Sequence, residues 1–350
     1  MAVYSISLLF IIISNWCLNG FHLSRQKQKL LYCWIVGMFL TILASVRDVT
    51  TGVDVVVYAA AFHYLGELSW TDLFQYGWEP GYLAYNKILS LFFSDEQALL
   101  VVTAILTTTG YTLFIYRYSK IPWLSFFLFI CLAYFSISIS ILRQSLAMVI
   151  ILNSLKYVLE RKKLKYFFCV GLAFLFHTTA LICVPIYFLP KLKISIKYFV
   201  IALLVSFSIM KIFGQGLLMN AISLTKEHYL DIIATGQGYA MLLLLIFVTG
   251  CGLLISRIES REDKLFFHLM IFACCLQFFA TQFSLLARLV SYFAVAMIIF
   301  IPNVVTSLRN SEYRMMGNVV CVCLCIAYYY LLILARNAAS GQVIYKFMWE

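Results

Sequence analysis

Long apolar runs separated by short polar loops dominate this chain. Ten of them reach or approach the roughly 17–25 residues that a helix needs to cross a bilayer. They cover approximately 2–20, 30–46, 97–116, 122–140, 144–159, 198–213, 239–256, 265–284, 287–308 and 316–335. The runs are continuous and lack the two-residue alternation of barrel strands, so helices are predicted. Two further stretches are ambiguous. The apolar stretch 82–93 offers only about three helical turns. The stretch 166–189 carries His177 in its middle and Pro185 and Pro190 in its second half.

Composition agrees with this pattern. Of 350 residues, 63% are hydrophobic and 12% charged, and mean hydropathy is +0.94. A soluble domain would need more polar surface. The predicted class is therefore an all-α polytopic membrane protein. It has about ten transmembrane helices plus interfacial or re-entrant segments, in one integral membrane domain over 1–350. The residues Met1-Ala2-Val3-Tyr4 form no basic n-region, and no small-residue cleavage site follows the first apolar run. A retained first span is expected there. The eleven Cys lie mainly in apolar segments, as do Cys321, Cys323 and Cys325. They show neither zinc-ligand spacing nor a disulfide framework, so neither a metal nor a cofactor is expected.

The net charge of +11 would suggest nucleic acid for a soluble protein. Here the Lys and Arg cluster in short loops between apolar runs, as topology signals do. If 82–93 does not cross, and 166–189 enters and leaves on one face, the loops 21–29, 117–121, 156–165, 190–197, 257–264 and 309–314 share a side. That side then holds most of the 26 basic residues, and the other side most of the 15 acids. The positive-inside rule favours this arrangement over a single crossing at 166–189. It makes 47–96 and 214–238 extracytoplasmic segments. The first interleaves Trp70, Phe74, Tyr76, Trp78, Tyr82 and Tyr85 with acids, which suits interfacial helices. The second carries Lys226, Glu227, His228 and Asp231.

Charge at a span end or at membrane depth is costly and points to function. Arg47-Asp48 leaves the second run, followed by Gly52, Asp54 and Tyr58. A guanidinium fork matches the oxygens of a diphosphate, and a nearby carboxylate can hold it or accept a proton. An interfacial ion pair capping a helix would use the same residues. In Trp78-Glu79-Pro80-Gly81-Tyr82, the Pro-Gly turn leaves a carboxylate at a bend among aromatic rings, the arrangement of a sugar site or of an aromatic anchor. Arg143-Gln144 opens a span, where donor side chains and the helix dipole favour an anion; a snorkelling Arg is the plainer reading. In Phe176-His177-Thr178-Thr179, the His can bind phosphate or a sugar hydroxyl, move a proton, or join two helices by a hydrogen bond. Arg288 starts a span with Tyr292 one turn on. Arg47, Arg143 and Arg288 on one predicted side suggest a polyanionic lipid headgroup.

The ordered set Arg47…Gly52-Val53-Asp54…Tyr58, Glu79-Pro80-Gly81-Tyr82, Arg143-Gln144-Ser145-Leu146-Ala147, Phe176-His177-Thr178-Thr179-Ala180 and Arg288…Tyr292-Phe293 resembles the EpsG family of bacterial polysaccharide polymerases, often described as Wzy-type. The resemblance implies a GT-C-like architecture in the bacterial cytoplasmic (inner) membrane, with an active site facing the extracytoplasmic side. It also implies a reaction joining undecaprenyl-diphosphate-linked oligosaccharide repeat units into an O-antigen, capsule or exopolysaccharide, with release of undecaprenyl diphosphate. Asp54, Glu79 and His177 become the catalytic candidates. Arg47, Asp48, Tyr58, Tyr82, Arg143, Gln144, Arg288 and Tyr292 become the candidates for diphosphate and sugar binding. Expected partners are the lipid-linked oligosaccharide, the bilayer, a chain-length regulator and a flippase, and no nucleic acid. Competing readings are a ligase using the same carrier, a lipid-linked oligosaccharide transporter and a membrane acyltransferase. A transporter should show inverted repeats with paired broken helices, and the sequence shows one broken segment and no repeat.

Overall fold

The computed structural model describes residues 2–52, 54–224, 238–256, 258–282, 286–330 and 345–350. The chain is helical, as its apolar runs predict, and no strand occurs among the described residues. In order, the helices are α1 (Ala2–Asn19), α2 (Arg25–Ser45), α3 (Val55–Glu67), α4 (Trp70–Leu73), α5 (Pro80–Ser90), α6 (Gln97–Tyr118), α7 (Pro122–Cys131), α8 (Tyr134–Ser140), α9 (Leu142–Leu159) and α10 (Lys163–Phe176). A 3-10 helix, Thr178–Lys191, follows. Then come α11 (Ile196–Leu224), α12 (Tyr239–Ile255), α13 (Arg261–Ala280), α14 (Ala287–Ala294), α15 (Met297–Ser307) and α16 (Ser311–Tyr328). The backbone divides into two compact units, Met1–Leu181 with Ser311–Glu350, and Ile182–Asn310.

Among the described residues, six helices are long and apolar enough to cross a membrane, or seven if the bent pair α7 and α8 counts as one. This is fewer than the ten apolar runs. The helices Val3–Asn19 and Tyr239–Ile255 are apolar but shorter. Of the run 316–335, residues 316–328 fall on α16, which starts with Glu312 and Arg314 in its first turns, and 331–335 lie outside the described residues. The run 122–140 is bent by 61°. There α7 ends at Cys131 with Leu132 as its C-cap, and Ala133 takes a left-handed φ of 61° before α8 begins. The stretch 166–189 is likewise broken, at His177, between α10 and the 3-10 helix. The predicted segment 214–238 lies almost wholly outside the residues whose side chains are described, Lys226, Glu227, His228 and Asp231 included.

The helix surfaces have the polarity of a protein solvated by lipid. Ile6, Leu9 and Ile13 on α1 and Val200, Leu204 and Phe207 on α11 are exposed. Threonines line the inside of α6 instead: Thr103, Thr107, Thr108 and Thr112 are all buried. Their hydroxyls are satisfied locally. Thr107 donates to the Thr103 carbonyl at 2.7 Å and Thr108 to the Ala104 carbonyl at 2.6 Å. Small residues let the backbones approach closely where packing and hydrogen bonds, not water exclusion, drive association. A Cβ on Gly37 of α2 would sit 2.5 Å from Thr112 Oγ1, and a Cβ on Gly110 of α6 would sit 2.5 Å from Cβ of Val149 on α9. Asn153 fastens the second contact by donating to the Gly110 carbonyl at 2.9 Å. In the other unit, the Ser260–Asp263 capping box starts α13, and Phe267 meets Phe300 edge-on at 4.7 Å.

Between α2 and α6 the segment predicted as interfacial folds into three helices. Tyr58, Phe62, Tyr82, Leu99 and Leu142 form a buried cluster that fastens α3 and α5 onto α6 and α9. Lys87 of α5 donates to the Gly66 carbonyl at the end of α3 at 2.6 Å.

The α6–α9 contact yields a test. Gly110→Val overpacks it and should cost about 1–3 kcal/mol of stability, read as a lower melting temperature in detergent. Adding Val149→Ala should recover part of that loss. No recovery would mean that this approach does not limit packing.

Candidate functional site

The site grows from three helix boundaries. The first is the start of α5. Gly77 has a left-handed φ of 89°, and Pro80 occupies the first helical turn, where its missing N–H costs nothing. Glu79 therefore stands at the N-cap in an extended conformation, yet its carboxylate does not cap its own helix. It reaches away to other elements. Gly81 permits this, since a Cβ there would lie 2.7 Å from the Leu175 carbonyl in the last turn of α10. The second boundary is the end of α10. His177 leaves that helix in an extended conformation (φ −158°, ψ 119°), so its ring and the next N–H point to the same place. The third is the first turn of α9, which begins after the break at Ile141 and carries Arg143.

These boundaries converge on one carboxylate. Arg143 Nη1 lies 2.7 Å from Glu79 Oε2. His177 Nδ1 lies 2.9 Å from Oε1, and the Thr178 N–H donates to the same oxygen at 3.2 Å. Glu79 is 8% exposed, Arg143 21% and His177 12%. The site is thus sheltered but not sealed. Burial by itself would raise the Glu79 pKa. The His177 hydrogen bond, the Arg143 charge and the Thr178 N–H outweigh it and hold the carboxyl at about 2. An ionised carboxylate only accepts hydrogen bonds, so the facing Nδ1 of His177 carries a proton. In uncharged His177 the acceptor nitrogen is then Nε2.

Aromatic rings wall one side. The Arg143 guanidinium carbon sits 4.9 Å from the Trp78 ring centre and 5.7 Å from that of Tyr58, within cation–π range. Tyr82 is fully buried behind them, 5.7 Å from Tyr58 and from Trp78. Its hydroxyl has no hydrogen-bond partner among the described residues, and burial pushes its pKa up. Tyr85 extends the wall, with its hydroxyl 2.9 Å from Thr103 Oγ1.

The structure thus brings together Glu79, Arg143, His177, Tyr58 and Tyr82. The other candidates have places of their own. Gln144 turns into the bundle, with its Nε2 3.9 Å from Met148 Sδ. Asp54 occupies the N-cap position of α3, half-buried, without a capping bond from its side chain. Arg47 is fully buried against the C-terminal residues. Asp48 accepts bonds from the Thr50 N–H and hydroxyl. Arg288 and Tyr292 lie on α14 in the other unit, Arg288 half-buried and Tyr292 buried. Trp78 and the Thr178 N–H were not among the sequence candidates, although both flank residues that were.

A family model described as the EpsG family matches residues 30–347 of the chain. No curated protein matches it. No solved structure matches it either.

The depressed Glu79 pKa makes a pH prediction. The stability that its contacts supply is fully present above the ordinary carboxyl value of 4.5 and is lost as pH falls towards about 2. The melting-temperature gap between the native chain and Glu79→Gln should be constant near neutral pH and should narrow below about 4.5. A gap that widened with acid would mean that the carboxylate is not ionised in the folded state.

Proposed function

The chain belongs to the EpsG family, and from that membership and the cluster around Glu79 we propose that it is a polysaccharide polymerase acting on lipid-linked substrates. It joins undecaprenyl-diphosphate-linked oligosaccharide repeat units at the extracytoplasmic face of the bacterial cytoplasmic membrane. The observation that carries this reading is the single buried carboxylate that holds a guanidinium on one oxygen and an imidazole on the other.

The roles follow from that geometry. The hydroxyl at the end of the incoming unit attacks the anomeric carbon of the growing chain. A C–O bond forms there, and the bond to the diphosphate oxygen breaks. The hydroxyl proton passes to His177 Nε2, and undecaprenyl diphosphate leaves with the bonding electron pair. Glu79 is a poor proton acceptor at a pKa of about 2. It serves as the positioning residue that orients His177 and fixes the tautomer, as the buried carboxylate does in a catalytic triad. Asp54 remains a second candidate for a base. Arg143, pinned through Nη1, turns positive charge towards the negative leaving group. Trp78, half-buried, offers the aromatic surface against which sugar C–H groups pack, with Tyr58 and Tyr82 buried behind it. Arg288 is proposed as an anion contact on its own helix, and its replacement by Ala tests that role separately.

Magnitudes decide what to expect. Loss of a general base costs roughly 10²–10⁴ in rate, and loss of one preorganised electrostatic donor costs roughly 10²–10³. His177→Ala and Arg143→Ala should each reduce polymerisation to those extents. Glu79→Gln should also impair it, because the amide leaves the tautomer unset. The measurement is the length distribution of lipid-linked glycan in cells carrying each variant. Single repeat units should accumulate. Long unattached chains would instead favour a ligase on the same carrier. Full-length polymer from both His177→Ala and Arg143→Ala would falsify the proposed site.

A further inference from the structure

Arg47 raises a problem that the Glu79 site does not solve. Its side chain is 0% exposed. Its Nη1 donates to the Ala44 carbonyl. Its Nε and Nη2 are buried and have no hydrogen-bond partner among the described residues. These two nitrogens share one edge of the guanidinium, the edge that grips two oxygens of a phosphoryl or carboxylate group at once. Burying a cation with that edge unmet is among the costlier arrangements a protein can adopt. Burial pulls the Arg47 pKa down only to about 10, so it stays charged at neutral pH.

The nearby acids are occupied. Asp48, the next residue, accepts from the Thr50 N–H at 2.8 Å and from its hydroxyl at 2.5 Å. Glu350 Oε2 accepts from the Phe347 N–H at 3.3 Å. Neither is bonded to Arg47. The titratable side chains beside Arg47 are the uncharged phenols of Tyr345 and Tyr4, and the Tyr345 hydroxyl donates to the Leu43 carbonyl.

Beside Arg47 runs a short segment. Residues 345–350 lie antiparallel to 46–51, with Arg47 bridged to Phe347. The Asp48 N–H donates to the Lys346 carbonyl and the Met348 N–H to the Val46 carbonyl, both at 2.9 Å. The Lys346 N–H donates to Thr51 Oγ1 at 3.0 Å. Only Tyr345 is buried, while Met348 and Trp349 are exposed. A handful of hydrogen bonds with little buried apolar surface marks a part of the fold that opens at low cost.

We propose that the Nε–Nη2 edge of Arg47 is a bidentate subsite for a phosphoryl group, entered when the segment 345–350 is displaced. Resting on the polymerase reading, the group is the diphosphate of the lipid carrier. Closed, the segment shields the cation from the solvent; open, it presents the edge to the ligand.

The test uses the full chain in nanodiscs and phenylglyoxal, which modifies accessible arginines, with the Arg47 peptide followed by mass spectrometry. The double variant Thr51→Val with Tyr345→Phe removes side-chain bonds that hold the segment. It should label at Arg47 at least about tenfold faster than the native chain, since losing even one net hydrogen bond gives about that change. Undecaprenyl diphosphate, and inorganic pyrophosphate at higher concentration, should both slow the labelling again. Unchanged labelling in a variant with a native melting temperature overturns the cover. Fast labelling that neither ligand slows overturns the subsite. Protection by pyrophosphate alone keeps the subsite and removes the lipid carrier, so the two readings fail separately. If the double variant does not fold, Arg47→Lys decides. It keeps the charge but loses the two-nitrogen edge, and it should bind inorganic pyrophosphate about tenfold more weakly. Equal affinity overturns the proposal.

Discussion

A carboxylate taken out of water must find positive or hydrogen-bonding partners or give up its charge. Glu79 finds three, Arg143 at the start of α9 and His177 with the Thr178 N–H at the end of α10. Their union is what assembles the site. Arg143 belongs to the first turn of α9, His177 to the end of α10, and Glu79 to the start of α5. Without the carboxylate, Arg143 would keep its aromatic faces but lose its fixed direction. His177 would lose the acceptor that sets its tautomer. The same bond explains why Pro80 and Gly81 follow Glu79. Proline starts α5 without needing a cap from the side chain, and glycine lets that start press on the last turn of α10.

The bilayer imposes a second constraint on polar groups. Lipid offers no hydrogen bonds, so polar groups away from water must be satisfied inside the protein. Thr107 and Thr108 meet it by bonding to their own helix, and Asn153 by bonding to a neighbouring one. Close backbone contact at Gly37 and Gly110 then replaces the interdigitated side chains of a soluble core. Against that background Arg47 stands apart. It is buried like the threonines, but two of its nitrogens are not met by the described residues.

Irregular backbone sits where the chemistry is. The chain breaks between α8 and α9 just before Arg143, and between α10 and the 3-10 helix at His177. Such breaks at membrane depth persist only where protein or a cavity surrounds them. The 3-10 helix itself runs for 14 residues and contains Pro185 and Pro190. Runs of that geometry are ordinarily only 3–4 residues. The two prolines cannot donate backbone hydrogen bonds, which keeps the segment from settling into a regular α-helix.

Composition and periodicity by themselves determined the helical membrane class, the break at His177 and the short α5, because hydrophobic run length and proline act locally. They also pointed to Glu79, Arg143 and His177 one by one, since a charge beside an apolar run is conspicuous wherever it falls. They did not show where a helix bends or ends within an apolar run, as at Ala133. They grouped Arg47 with Arg143 from a shared predicted side, and only the fold separated their surroundings. Arg143 grips Glu79 from 64 residues away, whereas Arg47 lies beside residues 345–350. Residue spacing carries no information about which distant helix ends meet. That is decided by close approaches such as Gly81 on Leu175, and by the cost of burying a carboxylate until its partners arrive.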